Sequence, residues 1–336
     1  MKKTRIISEI AQAHDGSLGI AYSMVSESVK AGCTDIKFQI HFADEESTPT
    51  DQFRVNIFPQ DQNRFDYWKR IQFSTEQWCK LIDYTGSLGV GVIVSPFSVK
   101  ALDICSICNV KTIKIGSGEI YNEQLIDRLD SRFTDVILSN GMCTITDLKS
   151  ITKRLMSQGL SVSLLECISK YPTKLSEVNL QNIPYLREIF GLPVGLSDHT
   201  GKLVSSLAAV IRYQAEIIEV HTTFSRNLFG PDATSSITFD DLRVLSTLLS
   251  EYFELGSSIE KNLLEINSSQ MQMVRLFGRS IVLNTDLLAG ETIQPEHLSF
   301  KKPGGGLSWN ERFKLEGKTL KQSLNANSQI SLDDVL

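Results

Sequence analysis

From the start of the chain to about residue 256, short β-branched apolar runs alternate with longer stretches of helical periodicity. This alternation predicts parallel strands joined by crossover helices. Eight runs read as strands: Thr4–Glu9, Asp35–Gln39, Gly91–Ser95, Thr112–Gly116, Asp135–Ser139, Ser161–Cys167, Pro193–Ser197 and Glu216–His221. Helices are expected over Leu18–Ala31, Thr75–Leu88, Asn122–Leu129, Ile145–Gln158, Val178–Ile189, Leu203–Tyr213 and Phe239–Leu255. Eight strand-helix pairs predict a closed TIM (β/α)₈ barrel rather than an open doubly wound sheet. The segment Phe42–Phe73, after the second strand, is too long for an ordinary connection and rich in Asp, Gln, Asn and Pro. At a strand C-terminus such a segment is expected to line a site.

A barrel needs roughly 250 residues, and the 336-residue chain leaves some 80 more. The expected division is a barrel over 1–256, a polar linker over 257–274 (SSIEKNLLEINSSQ and beyond) and a small domain over 275–336. The last region has the short run Ser280–Leu283, an LLAGETI turn, a KKPGGG cluster and no long amphipathic helix, so it reads as a turn-rich β domain.

Composition narrows the class. With 41% hydrophobic and 22% charged residues the chain has the balance of a folded soluble protein. Its 34 Lys+Arg against 39 Asp+Glu give a net charge of -5 with no basic block, which argues against a nucleic-acid partner. No apolar run approaches the ~20 residues of a membrane span, and Glu9 interrupts the N-terminal one, so no membrane association and a cytoplasmic location are expected. The six cysteines, Cys33, Cys79, Cys105, Cys108, Cys143 and Cys167, are expected as reduced thiols, and CSIC at 105–108 as packing rather than a redox or metal pair.

In barrels the chemistry projects from the strand C-termini. Those ends are strongly polar: Glu9 and His14, Lys37, Gln39 and His41, Ser95, Lys114 with Ser117 and Glu119, Ser139 and Asn140, Ser169 and Tyr171, Ser197, Asp198 and His199, and His221. Four of the five histidines fall at the ends of strands one, two, seven and eight, which closure makes neighbours. His199 and His221 can hold a divalent metal with open positions for substrate oxygens, or be a pair of satisfied structural histidines. Lysines in a barrel mouth are costly to bury without an anion, so Lys37 and Lys114 predict an anionic ligand. Ser117, Ser139, Ser197 and the Gly116–Gly118 turn would complete a phosphate cradle. A Schiff-base lysine is the alternative, but it leaves the histidine pair unexplained.

The stretches SEIAQAHDGSLGIA, AGCTDIKFQ, SPFS, KIGSGE, ILSNGM, LLECISKYPT, GLSDHT, IEVHTTF and GPD, followed by FKKPGGG, resemble the N-acetylneuraminate (sialic acid) synthase family in order and spacing across nearly the whole chain. The resemblance implies a TIM barrel followed by an antifreeze-like (SAF) β-clip domain, working as a domain-swapped homodimer. It implies condensation of phosphoenolpyruvate with an open-chain N-acylated aldose, N-acetylmannosamine or a related amino sugar, giving a nonulosonic acid and phosphate. A divalent cation, Mn²⁺ or Mg²⁺, would be held by His199 and His221. Lys37 and Ser95 would hold the donor carboxylate; Lys114, Ser117, Ser139, Ser169 and Ser197 its phosphate. Gln39, Glu119, Tyr171, Asp232 and Lys302 would face the sugar, and Glu9, Lys37 and Asp232 would serve catalysis, the two carboxylates in proton handling.

Three positions depart from the family pattern: Ala13 replaces an Asn, Ser169 an Asn, and Lys302 the Arg that contacts the acyl group. Lys keeps the charge without the planar fork, so the departures bear on the acyl sugar more than on the donor, and an acceptor of the legionaminic or pseudaminic type is expected. The competing readings are a 3-deoxy-octulosonate or deoxy-heptulosonate type synthase, against which the KKPGGG region argues, and a non-catalytic sugar-binding scaffold. Retention of Lys37, Lys114, His199, His221 and Asp232 together argues against the scaffold.

Overall fold

A computed structural model of the chain describes residues 4–54, 60–256 and 266–336. They divide into two compact units, Met1–Ser257 and Ser258–Leu336. In the first, eight parallel strands run β1 Arg5–Glu9, β2 Asp35–Ile40, β3 Gly91–Pro96, β4 Thr112–Ile115, β5 Asp135–Ser139, β6 Ser161–Cys167, β7 Val194–Asp198 and β8 Ile217–Thr223. Each pairs with the next, and β1 pairs with β8, matching Glu9 with His221 and closing the barrel. A two-residue strand β9, Ile237–Thr238, pairs in parallel with the last two residues of β8.

Two apolar cores explain the closure. Ile7, Ile93, Ile137, Leu165 and Ile217 form their own buried cluster on the barrel axis. The alternate residues Ile36, Val94, Ile113, Val136, Leu164 and Ile218 belong to the large core beneath the helices. Successive side chains of a strand point to opposite faces, so one set plugs the barrel and the other binds the helical jacket. Helix starts are set locally. Ser74 caps Thr75–Ser87 and Thr144 caps Ile145–Ser157, each with a reciprocal capping box.

The strands lie within two residues of the predicted bounds, but several other elements differ. The expected helix Asn122–Leu129 is the single turn Glu123–Ile126. Val178–Ile189 begins only at Asn182, because Pro184 is tolerated only in a first turn. The segment Phe42–Phe73 contains two helices, Ala43–Glu46 and Arg64–Ile71, the second capped by the Asn63 side chain and burying Tyr67, Trp68 and Ile71. The expectation of six reduced thiols is overturned: Cys79 and Cys108 form a disulfide, while Cys33, Cys105, Cys143 and Cys167 are free. The helices Thr75–Ser87 and Val99–Ile107 flank β3 and pack together. That packing brings the two Cα atoms to 5.3 Å, within disulfide reach. Among the described residues no helix is long and apolar enough to cross a membrane.

The second unit has an antiparallel pair, β10 Ser280–Leu283 with β11 Leu298–Lys301, over a core of Ile281, Leu283, Ile293, Leu298, Leu315, Leu320 and Ile330. Part of the expected linker, 257–265, lies outside the described residues; the rest enters a helix at Ser268–Phe277 that sequence reading did not anticipate. The KKPGGG glycines serve this helix. A Cβ on Gly304 would lie 2.2 Å from the Val274 carbonyl oxygen, while the Gly304 N–H donates to the Arg275 carbonyl at 2.9 Å. Only glycine permits that approach.

Candidate active site

Above the axial apolar plug, toward the strand C-termini, the barrel interior becomes polar. Two residues beyond the plug, β1, β3, β5, β6 and β8 present Glu9, Ser95, Ser139, Cys167 and Glu219, and Lys37, Lys114 and Ser197 join them from β2, β4 and β7. All are buried. The Lys37 ammonium pairs with Glu9 Oε2 and lies 2.9 Å from Glu219 Oε1. Lys114 Nζ donates to Ser139 Oγ at 2.7 Å and stands 3.6 Å from the same Glu219 oxygen. Ser197 Oγ donates to Glu219 Oε1 at 2.9 Å, and Glu9 Oε1 accepts the Ala11 N–H at 2.8 Å. Two lysines and two carboxylates thus share one buried layer. Burial draws Lys37 down to about 8, against the opposing pull of Glu219. Burial pushes the Glu219 carboxyl up, but Lys114 and Lys37 outweigh it and hold it well below the usual carboxylate range.

Two residues beyond Ser139, whose hydroxyl accepts from Lys114, the chain packs closely around Gly141. A Cβ there would lie 2.6 Å from Ser169 Oγ and 2.9 Å from Ser117 Oγ, and the Gly141 N–H donates to Ser117 Oγ at 3.1 Å. Ser169 Oγ is buried with no hydrogen-bond partner among the described residues. The unpartnered Ser169 hydroxyl, the Ser117 hydroxyl and the Lys114 ammonium are donors of the kind an oxyanion takes.

Next to this layer stand the two imidazoles, with ring centroids 5.3 Å apart. Tyr171 lies tilted over His199, 4.1 Å between ring centroids, and meets His221 edge-on at 6.0 Å. His199 Nδ1 lies 3.0 Å from the Ile168 carbonyl oxygen, which fixes the Nδ1–H tautomer and leaves a lone pair on Nε2. Burial lowers His221 to about 4, so it is neutral at pH 7. For His199 burial opposes charge, but Cys167 and the Ile168 carbonyl outweigh it and shift the group upward; a proton and a metal ion are alternatives at its Nε2. By donor type the pair fits a divalent ion. Among the described residues no group of three or more His, Cys, Asp or Glu joins around a common point, so further positions would fall to water or substrate oxygens.

Over His221 lies a cavity of about 270 Å³, walled in part by Gln12, Gln39, His41, Trp68, Phe97, Tyr171 and Asp232. Asp232 Oδ2 is 3.9 Å from His221 Nδ1, and Asp232 Oδ1 accepts from Arg54 Nη2 at 2.7 Å. The Arg54 guanidinium also covers the Tyr171 ring at 4.1 Å.

The barrel therefore gathers Glu9, Lys37, Ser95, Lys114, Ser117, Ser139, Ser169, Ser197, His199 and His221 at its mouth, with Gln39, Tyr171 and Asp232 on the cavity. Glu119 is not part of that wall: it is half-buried in the turn Ser117–Glu119, where Asn122 Nδ2 donates to it at 2.7 Å. Lys302 is exposed on the second unit, its Nζ 5.6 Å from the centre of the Phe277 ring. Of the four clustered histidines, His14 does not join the site; it is buried against Phe73, 4.6 Å between ring centroids. Sequence reading missed Glu219, Gln12, Arg54 and Trp68 and gave His41 no role. Glu219 had a signal, since it precedes His221 by two on one strand and must share its face. The other side chains come from loops and a loop helix without such a period.

The first unit is a parallel (β/α)₈ barrel with a charged, hydroxyl-rich mouth at its strand C-termini, the end where barrels of this kind carry their active sites. The chain belongs to the NeuB family, whose model matches residues 24–260, and residues 278–336 match the SAF domain. It is 30% identical to an N,N'-diacetyllegionaminic acid synthase of Legionella pneumophila, covering 97% of this chain and 92% of that protein. A pseudaminic acid synthase of Helicobacter pylori is 27% identical, covering 100% and 98%. The N-acetylneuraminic acid (sialic acid) synthetase of Leptospira borgpetersenii, solved with citrate, superposes with a TM-score of 0.68 at 26% identity, covering 81% of this chain and 90% of that one.

Proposed function

We propose that the barrel mouth condenses phosphoenolpyruvate with an open-chain N-acylated hexosamine, N-acetylmannosamine or a diacetamido relative, to give a nonulosonic acid and phosphate. The observation that carries this reading is the buried pair Lys37 and Lys114, in one layer with the Ser139 and Ser197 hydroxyls and beside two imidazoles. The naming of relatives as legionaminic and pseudaminic acid synthases supports the product class.

In the reaction the donor's methylene carbon forms a bond to the acceptor's aldehyde carbon, whose oxygen takes up a proton. Water then adds to the central donor carbon and loses one proton; as the carbon–oxygen bond to phosphate breaks, the new hydroxyl becomes the carbonyl and its proton goes to the departing phosphate. Lys37 and Ser95 hold the donor carboxylate; Lys114 with Ser117, Ser139, Ser169 and Ser197 holds the phosphate, with charge fixed before the reaction begins. In this reading Glu9, which pairs with Lys37, and Asp232, which lies near His221, accept or return those protons. Gln39 and Tyr171 line the acceptor side. A divalent ion held by His199 and His221, Mn²⁺ or Mg²⁺, supplies Lewis-acid polarisation of the aldehyde when bound. In the same reading Lys302, from a second copy of the chain, meets the acyl group.

The test is phosphate release from phosphoenolpyruvate over a panel of N-acylated hexoses, with Mn²⁺ and with chelator. Acceptor-dependent release that chelator abolishes is expected. Absence of release with every acceptor would leave the sugar-binding scaffold as the better reading.

A further inference from the structure

The cavity wall carries an imidazole that the proposed chemistry does not use. His41 is buried between two rings, Trp68 at 4.0 Å and 8° and Phe97 at 4.2 Å and 21°. Such stacking fixes its plane. Its Nδ1 meets both Glu46 oxygens, at 2.9 and 3.0 Å, and the carboxylate defines which nitrogen carries hydrogen. Its Nε2 lies 3.1 Å from Gln39 Oε1 and 3.3 Å from Gln12 Nε2, and Gln12 Nε2 donates to Gln39 Oε1 at 2.5 Å.

Gln39 Oε1 accepts from Gln12 Nε2, and a hydrogen on His41 Nε2 reaches the same oxygen. The oxygen end of the Gln39 amide is thereby held by its neighbours, and its NH₂ end is the one left for the cavity that Gln39 lines.

We propose that Glu46, His41 and Gln12 are positioning residues that aim the Gln39 amide donors at the carbonyl oxygen of the acceptor's acylamino group, and so set the preference for N-acylated sugars. This rests on the synthase reading above. The test compares native protein with Glu46→Ala, Glu46→Gln and Gln12→Ala in steady-state kinetics, with thermal melts to establish folding. In Glu46→Ala the acceptor KM rises about tenfold, the scale of one lost hydrogen bond, with the phosphoenolpyruvate KM unchanged. The preference for an N-acylated hexosamine over the hexose lacking the amide falls by a similar factor. Glu46→Gln, which still offers Nδ1–H an oxygen, recovers most of it. Gln12→Ala gives the same signature without touching the aromatic clamp, and decides the matter if Glu46→Ala does not fold. Folded variants with native acceptor KM and preference, or with both KM values raised alike, overturn this assignment alone. Native protein inactive toward every N-acylated acceptor overturns it together with the synthase reading.

Discussion

Glu219 decides how two ammonium groups live inside a barrel. One of its oxygens lies 2.9 Å from Lys37 and 3.6 Å from Lys114, and Ser197 donates to that same oxygen. Burying a lone charge is prohibitive, whereas a compensated cluster can persist until an anionic ligand arrives. His14 illustrates the opposite solution, burial in the neutral form. Desolvation against Phe73 and Trp78 lowers it to about 3 from an ordinary 6.5, while its Nδ1 accepts the Gly16 N–H at 3.1 Å. Because the folded value is the lower one, the unfolded chain binds the extra proton, and stability falls as pH drops through the window from 6.5 toward 3. Between pH 8 and pH 5 this costs about 2 kcal/mol. Urea unfolding at the two pH values should display the loss, and His14→Asn, which keeps an acceptor for Gly16 but cannot take up a proton in this range, should remove that part of it. An equal loss in the variant would mean that other groups govern the acid limb.

Among the elements, the helices flanking β3 carry the feature least visible in the sequence. Cys79 and Cys108 are 29 residues apart, and nothing in that spacing distinguishes them from Cys105, which points into the core. Helix packing alone selects the pair. A loop of this size is worth about 3.6 kcal/mol in the chain-entropy account, so reduction or Cys79→Ala should lower the urea midpoint and, because the freed unfolded chain expands, steepen the slope. An unchanged midpoint would remove any stabilising role. The strands, by contrast, were legible almost to the residue, because a period of two with β-branched residues writes both the strand and the face of each side chain. That is why Lys37, Lys114, Ser139 and Ser197 could be read as a group. The same period also held Glu219, unread beside His221. Where side chains come from loops no period exists. Trp68, Arg54 and Gln12 reach the cavity through Arg64–Ile71 and two connections whose polar composition resembles ordinary surface, so only the fold reveals them.

At the scale of the whole molecule, the net charge of -5 and the local charge of the site answer different questions. The first disfavours polyanions, while Lys37 and Lys114 need attract only one small anion into a shaped mouth. The division into two units raises the last question, whether a second copy completes the site. In the proposed swapped dimer each site combines the barrel of one chain with Lys302 of another. Lys302→Ala and His221→Ala, each inactive or weakened alone, then carry defects on opposite halves of the site. Mixed one to one with exchange of subunits, half the dimers are heterodimers and one of their two sites is free of both substitutions, about a quarter of all sites. Synthase activity should therefore rise on mixing well above the mean of the two separate variants, and sedimentation should report a dimer. If each chain instead completes its own site, every site in the mixture keeps a defect and activity stays at that mean, whatever the oligomeric state. That outcome would confine Lys302 to its own chain and separate the condensation chemistry from the swap.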